Sequence, residues 1–273
     1  MSIRTALICS LVVFSAFSTA AGAEDRSILV QSTTSTQNSG FYDHILPIFK
    51  AETGIGVNVV AVGTGQAIKN AMNCDADVLL VHAKAAEEKF VAEGYGVQRF
   101  DLMYNDFVIV GPASDPAGIA GSKDAVAALR RIAETKMLFA SRGDDSGTHQ
   151  AEKKLWTEAG IDPTKDSGAW YRSTGSGMGA TLNASVGMGA YTLSDRATWI
   201  SFKNRGDFEI EVEGDPKLFN QYGITLVNAA KCPSVKADLG QEFIDWLTSE
   251  HGQDLIAGDR MDGQQLFFPN ARR

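Results

Sequence analysis

Apolar positions in the first third of the chain switch repeatedly between short strand-like runs and a period near 3.6. Residues 27–31 (Ser-Ile-Leu-Val-Gln), 57–62 (Val-Asn-Val-Val-Ala-Val) and 77–81 (Asp-Val-Leu-Leu-Val) read as strands, and 41–52, 66–72 and 85–93 as helices. Phe41, Ile45, Ile48 and Phe49 share one face of the first helix, and Gly94 stops the third. The alternation continues. A strand at 105–112 ends in Gly111-Pro112, and a helix at 123–135 leads to a strand at 137–141 and a helix at 150–159. A helix at 175–185 opens on glycines, a strand covers 222–228, and an amphipathic helix at 239–248 carries Phe243, Trp246 and Leu247 on one side. Such alternation predicts an α/β architecture. The strand-like passages 107–110 and 224–227 bracket a central block, which suits two lobes with the chain crossing between them twice. No repeat and no low-complexity tether interrupts the pattern.

The N-terminus stands apart from it. Arg4 precedes a short apolar run at 5–17, small residues fill 18–23, and Ala21-Gly22-Ala23 fits an A-x-A cleavage site. Residues 1–23 are expected to be a cleaved signal peptide, with the mature chain starting near Glu24 in the periplasm. The apolar run is too short for a permanent membrane span, and Cys9 goes with it. A length of 273 residues allows one large domain or two ordinary ones, and 44% hydrophobic residues exclude disorder. The net charge of −8 becomes about −9 once Arg4 is removed, which argues against nucleic acid or an anionic membrane as partner. Cys74 and Cys232 remain, as one disulfide or as two buried thiols.

Four loops repeat one feature: small hydroxyl and glycine residues between a strand and a helix. They are Ser32-Thr33-Thr34-Ser35-Thr36, Gly63-Thr64-Gly65, Arg142-Gly143-Asp144-Asp145-Ser146-Gly147-Thr148 and Thr174-Gly175-Ser176-Gly177. Taken singly, each is explained by helix capping. Together they offer backbone N–H groups, hydroxyls and helix-dipole ends suited to an anion. Arg142 is the one cation among these donors, and Asp144 or Asp145 could pair with it. Neutral donors of this kind need no basic surface, so the acidic balance is no obstacle.

Other patterns carry less. Gly175-Ser-Gly177-Met-Gly179-Ala180 matches a loose dinucleotide-binding pattern but does not follow the first strand. His149 and Glu152 lie one helical turn apart, two potential ligands where a metal site needs more, and His44, His82 and His251 are scattered. Trp156, Trp170, Trp199 and Trp246 read as packing. No metal, cofactor or catalytic residue is expected. No base, nucleophile or metal set is arranged among the donor loops, so an enzyme is disfavoured, although His149 adjoins Thr148.

The loops resemble those of the periplasmic tungstate-binding proteins of ABC transporters. The resemblance runs, in order, through Leu29-Val30-Gln31-Ser32-Thr33-Thr34-Ser35-Thr36, Ser39-Gly40 and Val62-Gly63-Thr64-Gly65-Gln66-Ala67. It continues through Asp77-Val78-Leu79-Leu80-Val81-His82-Ala83, the Ser141-to-His149 segment, and Gly189-Ala190-Tyr191-Thr192-Leu193-Ser194-Asp195-Arg196. It implies a two-lobed, type II-like periplasmic-binding-protein fold closing on its ligand in the inter-lobe cleft. Lobe 1 would be 24–105 plus 221–273, and lobe 2 would be 106–220. It also implies a monomer that captures tungstate, or molybdate, and hands it to a membrane permease. Thr33, Thr34 and Ser35 would donate from the first loop, and Thr64 and Gly65 from the second. Arg142, Ser146, Gly147 and Thr148 would donate from across the cleft, with 174–177 as a further candidate.

Phosphate is the rival ligand, because the R-x-D-x-S-G-T spacing also resembles a loop of phosphate-binding proteins. Tungstate and molybdate carry no proton near neutral pH, so a donor-only site suits them. Monohydrogen phosphate rewards an acceptor. Asp144 could be that acceptor or merely the clamp of Arg142. A sensor that binds the anion and docks on a receptor is the remaining reading.

Overall fold

A computed structural model describes residues 26–271. The expected signal peptide and Cys9 lie outside the described residues. The chain opens with strand β1 (Ser27–Thr33), the short helix α1 (Thr34–Asn38) and α2 (Phe41–Thr53). Then come β2 (Gly56–Val62), α3 (Thr64–Met72), β3 (Val78–Val81), α4 (Lys84–Ala92) and the long strand β4 (Gly96–Pro112). A central block follows, with α5 (Ala125–Thr135), β5 (Phe139–Ser141), α6 (Gly147–Glu158), β6 (Tyr171–Ser173), α7 (Met178–Met188), β7 (Thr192–Asp195), α8 (Arg196–Ser201) and β8 (Phe208–Val212). The chain returns in β9 (Phe219–Val227) and ends with α9 (Ala237–Thr248), α10 (Glu250–Gly258) and the short strands β10 (Arg260–Met261), β11 (Gln264–Gln265) and β12 (Phe268–Pro269).

Eight strands form one sheet, ordered β12-β4-β9-β3-β1-β2, with β7 and β8 pairing with the far end of β4. β1 is parallel to β2 and β3, whereas β9 is antiparallel to both β3 and β4. The four residues of β3 are all buried, and they alternate between two layers as a strand's period of two requires. Val78 and Leu80 join a core with Ile28, Val30, Phe41, Phe49, Ile224 and Phe243. Leu79 and Val81 face the opposite layer with Ala67, Ala71, Phe90, Val227 and Cys232. A strand covered on both faces reads as an unbroken apolar run.

β4 does the same work twice. Residues up to Asp106 pair with β9, and from Phe107 onward the strand pairs with β7 and β8. Beyond Asp106 its side chains enter separate cores. Phe107 and Ile109 pack with Leu129, Phe139, Trp156 and Tyr191. Val108 and Val110 pack with Met178, Leu182, Trp199 and Phe208. The chain thus passes between two hydrophobic regions along β4 and returns along β9, with Asn105 opposite Asn220 at the passage. Helix α8 crosses this division, since its Ala197 and Ile200 pack in the core of β1, α2 and β9.

Cys74 and Cys232 are joined in a disulfide with an S–S distance of 2.09 Å. Trp156, Trp170 and Trp199 are buried and Trp246 packs against the first core, the packing roles expected of them. Several expected boundaries differ from the observed ones. The strand expected at 105–112 begins at Gly96, because Arg99 on its polar face is engaged with Glu87 and Asp101 rather than with solvent. The helix expected from Gln150 starts one turn earlier, at Gly147, because the Ser146 hydroxyl accepts from the His149 N–H and caps it.

Candidate anion-binding site

The carboxyl ends of parallel strands β1, β2 and β3 lie side by side, and each releases polar residues there: Thr33 and Thr34, Gly63 and Thr64, and His82. The central block contributes the segment after β5. Arg142 follows Ser141, is only 1% exposed, and reaches across. Its Nη2 donates to Thr34 Oγ1 at 3.1 Å and to Asp144 Oδ2 at 2.5 Å. Nearby, the Gly147 N–H donates to Thr64 Oγ1 at 2.9 Å. At Gly65 an added Cβ would lie 3.0 Å from Asp145 Oδ2. The donor loops of the two regions therefore touch directly.

Three buried donors in this junction have no protein partner: Arg142 Nε, Arg142 Nη1 and the Thr148 hydroxyl. A buried donor left unpaired costs about 1–3 kcal/mol, and more when charged. Two edges of one guanidinium and a hydroxyl of the same segment form a donor set that an oxyanion would satisfy.

Asp144 is held differently. Its Oδ2 takes Arg142 and its Oδ1 takes the Ser146 N–H at 3.2 Å, so both oxygens already accept. Burial pushes its carboxyl up, but the Arg142 charge and the Ser146 contacts outweigh that and hold it below the usual carboxylate range. The geometry of Asp144 is that of a clamp.

The other residues singled out in the sequence divide by what their hydroxyls already do. Thr33 Oγ1 accepts from the Thr36 N–H at 3.4 Å and pairs with the Thr36 hydroxyl at 2.7 Å, so it caps α1. Ser35 Oγ pairs with His82 Nε2 at 3.0 Å. Ser146 caps α6. The segment 174–177 comes alongside Arg142 but serves its backbone: the Ser176 N–H donates to the Arg142 carbonyl at 3.2 Å, and Thr174 Oγ1 donates to the Ser141 carbonyl at 3.1 Å. Gly143 between them is obligatory. Its φ is +63°, and a Cβ would fall 1.7 Å from Ser173 Oγ. The Ser35 hydroxyl is thus engaged with His82, the Thr33 and Ser146 hydroxyls accept as helix caps, and Arg142, Thr148, Thr34 and Thr64 face partners or open valences at the junction.

A family model described as a PBP superfamily domain matches residues 18–251. The tungstate-binding protein TupA of Peptoclostridium acidaminophilum is 49% identical over 251 residues, which cover 90% of this chain and 87% of that protein. The chain belongs to the PBP superfamily and to the family of that relative. Its mixed α/β sheet is the PBP fold. Among solved structures, the tungstate-binding protein TupA from Desulfovibrio alaskensis G20 superposes with a TM-score of 0.76 at 47% identity, covering 90% of this chain and 99% of that one. The tungstate ABC transporter structure from Geobacter sulfurreducens gives 0.78 at 47% identity, with coverages of 85% and 98%.

Behind the donor loops this PBP chain buries a carboxyl that its sequence did not single out as structural. Glu152 is 2% exposed and accepts from Ser141 Oγ, Tyr171 OH and Trp156 Nε1 at 2.7, 2.8 and 3.1 Å. It therefore braces the end of β5, one residue before Arg142. His149, its neighbour one turn away, turns elsewhere and accepts the Asp145 N–H on Nδ1 at 3.0 Å. Burial raises the Glu152 carboxyl to about 7, against the lowering effect of its three donors. A carboxyl that holds its proton more tightly when folded supports stability fully below about pH 4.5. That support is lost as pH rises through about 7. Glu152→Gln, which mimics the protonated form, is expected to leave stability at pH 5 nearly unchanged and to raise it at pH 8. Urea denaturation at the two pH values checks this; equal effects at both would remove the titration from Glu152.

Proposed function

We propose that the protein is the substrate-binding component of an ABC transporter and captures tungstate, with molybdate as the near-identical competitor. The observation that carries this reading is the set of three buried, unpartnered donors at the junction, Arg142 Nε and Nη1 and Thr148 Oγ1, beside an Asp144 whose two oxygens are already engaged. A site of donors suits a dianion without a proton, and tungstate is the ligand named for the relatives. The ligand would sit between a lobe of residues 24–105 plus 221–273 and a lobe of 106–220. Thr34, Thr64, Gly65, Gly147 and Thr148 would line it with Arg142, and Thr33, Ser35 and Ser146 would shape their loops. We read the protein as a monomeric binder with no catalytic residue and no cofactor. It works in the periplasm after removal of residues 1–23 and delivers its anion to a membrane permease. No helix among the described residues is long and apolar enough to cross a membrane.

Phosphate stays in view through one group. Asp195 is buried, its Oδ1 accepts the Thr198 N–H at 2.9 Å, and Asn105 and Arg142 both act on that carboxyl. An acceptor there would favour a protonated oxyanion. Burial raises the Asp195 carboxyl, against the lowering effect of the Thr198 and Asn105 contacts and of the Arg142 charge. Isothermal titration of the mature protein with tungstate, molybdate, sulfate and phosphate separates the readings. Tungstate and molybdate are expected to bind, and phosphate to give no heat. Tight phosphate binding would move the protein to phosphate uptake and give Asp195 or Asp144 the acceptor's role.

A further inference from the structure

One buried polar chain is left over once the donors have been assigned. It starts at the first donor loop and ends where the two strands pass between the cores. His82, 5% exposed, follows β3 and lies flat on Tyr222, with ring centroids 4.8 Å apart and planes inclined by 22°. The Asn220 amide nitrogen donates to Asn105 Oδ1 at 2.8 Å and to Tyr222 OH at 3.3 Å, so its oxygen is what faces His82 Nδ1 at 3.0 Å. An oxygen there requires the imidazole proton on Nδ1. Nε2 is then a bare acceptor, and the Ser35 hydroxyl donates to it. Burial drives the imidazole down to about 4, with Arg142 acting in the same direction, so the ring is neutral in the periplasmic range.

Two further contacts fix where this ring stands. The residue after it is pinned from below: Glu87 Oε1 accepts the Ala83 N–H at 2.6 Å, and Glu87 Oε2 takes Arg99 Nε at 2.6 Å. From across the junction, Gly147 faces the ring itself. A Cβ at Gly147 would lie 3.0 Å from His82 Cε1 and Nδ1 and 3.1 Å from its carbonyl oxygen. Gly147 is the same residue whose N–H reaches Thr64, and it precedes Thr148 with its unpartnered hydroxyl.

We propose that His82 is a positioning residue for anion capture: through Ser35–His82–Asn220–Asn105 it ties the first donor loop to both passage strands, and its ring is the surface on which Gly147 rests when the two lobes meet. The inference builds on the reading that the junction captures an oxyanion. Its consequence is coupling. The first donor loop is held in register with the passage strands, and Thr148 reaches its place only if the position facing the ring carries no side chain. A ring at 82 and a bare Cα at 147 are therefore one device.

The test is a double-mutant cycle on tungstate affinity, read by titration with sodium tungstate, with the thermal midpoint of each ligand-free protein recorded alongside. His82→Ala and Gly147→Ala are each expected to weaken binding by about tenfold or more. Their combination is expected to lose clearly less than the product of the two, because removing the ring makes room for the new methyl group. A purely structural histidine would lower the midpoint and leave the two losses independent. Multiplicative losses, or wild-type affinity in His82→Ala, overturn the proposal. If His82→Ala does not fold, the wild-type ring reports directly. The His82 Cε1–H resonance is expected to shift on adding tungstate and to stay put in Arg142→Ala. A resonance indifferent to tungstate that the wild type binds overturns the proposal as surely. A wild type silent toward all four anions overturns the functional reading and this inference together, whereas a binding wild type with an unaltered His82→Ala overturns the inference alone.

Discussion

Arg142→Ala should reduce tungstate affinity by about two orders of magnitude or more, in line with the roughly 2–5 kcal/mol lost when one partner of a buried charged contact is truncated. The expectation rests on how the guanidinium is divided. Nη2 is occupied by Thr34 and Asp144, which fixes the plane of the group and leaves Nε and Nη1 free to donate. Arg142→Lys should not restore binding. An ammonium could meet the Asp144 clamp or the ligand, but it has no second edge with which to serve both. Stability of the ligand-free protein should change much less than affinity, because two opposed effects partly cancel. The mutation removes two buried donors that have no protein partner. It also strips Asp144 of the charge that keeps its carboxyl below the ordinary value. A carboxyl with a lowered folded value contributes stability at neutral pH that is lost as pH falls through that value. Acid unfolding of Arg142→Ala should therefore set in over a flatter pH range than that of the wild type. Titration calorimetry and pH-dependent denaturation measure the two parts. A folded Arg142→Ala protein with wild-type affinity would take Arg142 out of the site.

The chemistry at Arg142 was visible in the sequence because it depends on residue type within one loop, and the alternation of apolar runs was enough to place β1, β2 and β3 with their helices. What escaped depends on contacts far apart in the chain. Helix α1 (Thr34–Asn38) has the composition of a loop and no apolar period; it is held by Thr198 donating to the Ser35 carbonyl and Ser201 donating to the Ser39 carbonyl. The first half of β4 hid behind Arg99, whose partner Glu87 lies on another element, and behind Asp101, which pairs with Arg99. The same limit applies to the site. Thr33, Thr34 and Ser35 are alike as donors on paper. One caps its own helix, one meets Arg142 from 108 positions away, and one turns to His82 from 47 positions away. A hydroxyl has one proton to give, and only the tertiary structure says where it goes. His82 carried a positional signal, since it leaves a buried strand at the same end as the donor loops, but its proton could be assigned only through Asn220. β8 (Phe208–Val212) was legible in principle: Phe-Glu-Ile-Glu-Val alternates with period two.

Loss of the Cys74–Cys232 bond should lower the stability of the oxidised protein by about 2–4 kcal/mol while leaving tungstate affinity at 25 °C within about twofold. The bond spans 158 positions and so encloses the whole central block, which makes the unfolded chain far more compact than its reduced counterpart. In the folded protein it joins the turn after α3 to the segment after β9, the strand on which the chain returns from the central block. Cys232 is fully buried there, against Ala67 and Ala71 of α3, Phe90 and Val227. That apolar packing persists in a Cys74→Ser, Cys232→Ala protein, and it is what holds Thr64 at the start of α3 opposite Gly147. Stability and binding should therefore separate. Denaturation with and without reductant measures the first, and titration under the same two conditions measures the second. An unchanged unfolding midpoint would mean that the packing of α3 against β9 already supplies all the constraint the bond could add. A large loss of affinity with no loss of stability would give the bond a different role, that of setting where Thr64 stands, and would make capture depend on an oxidising environment.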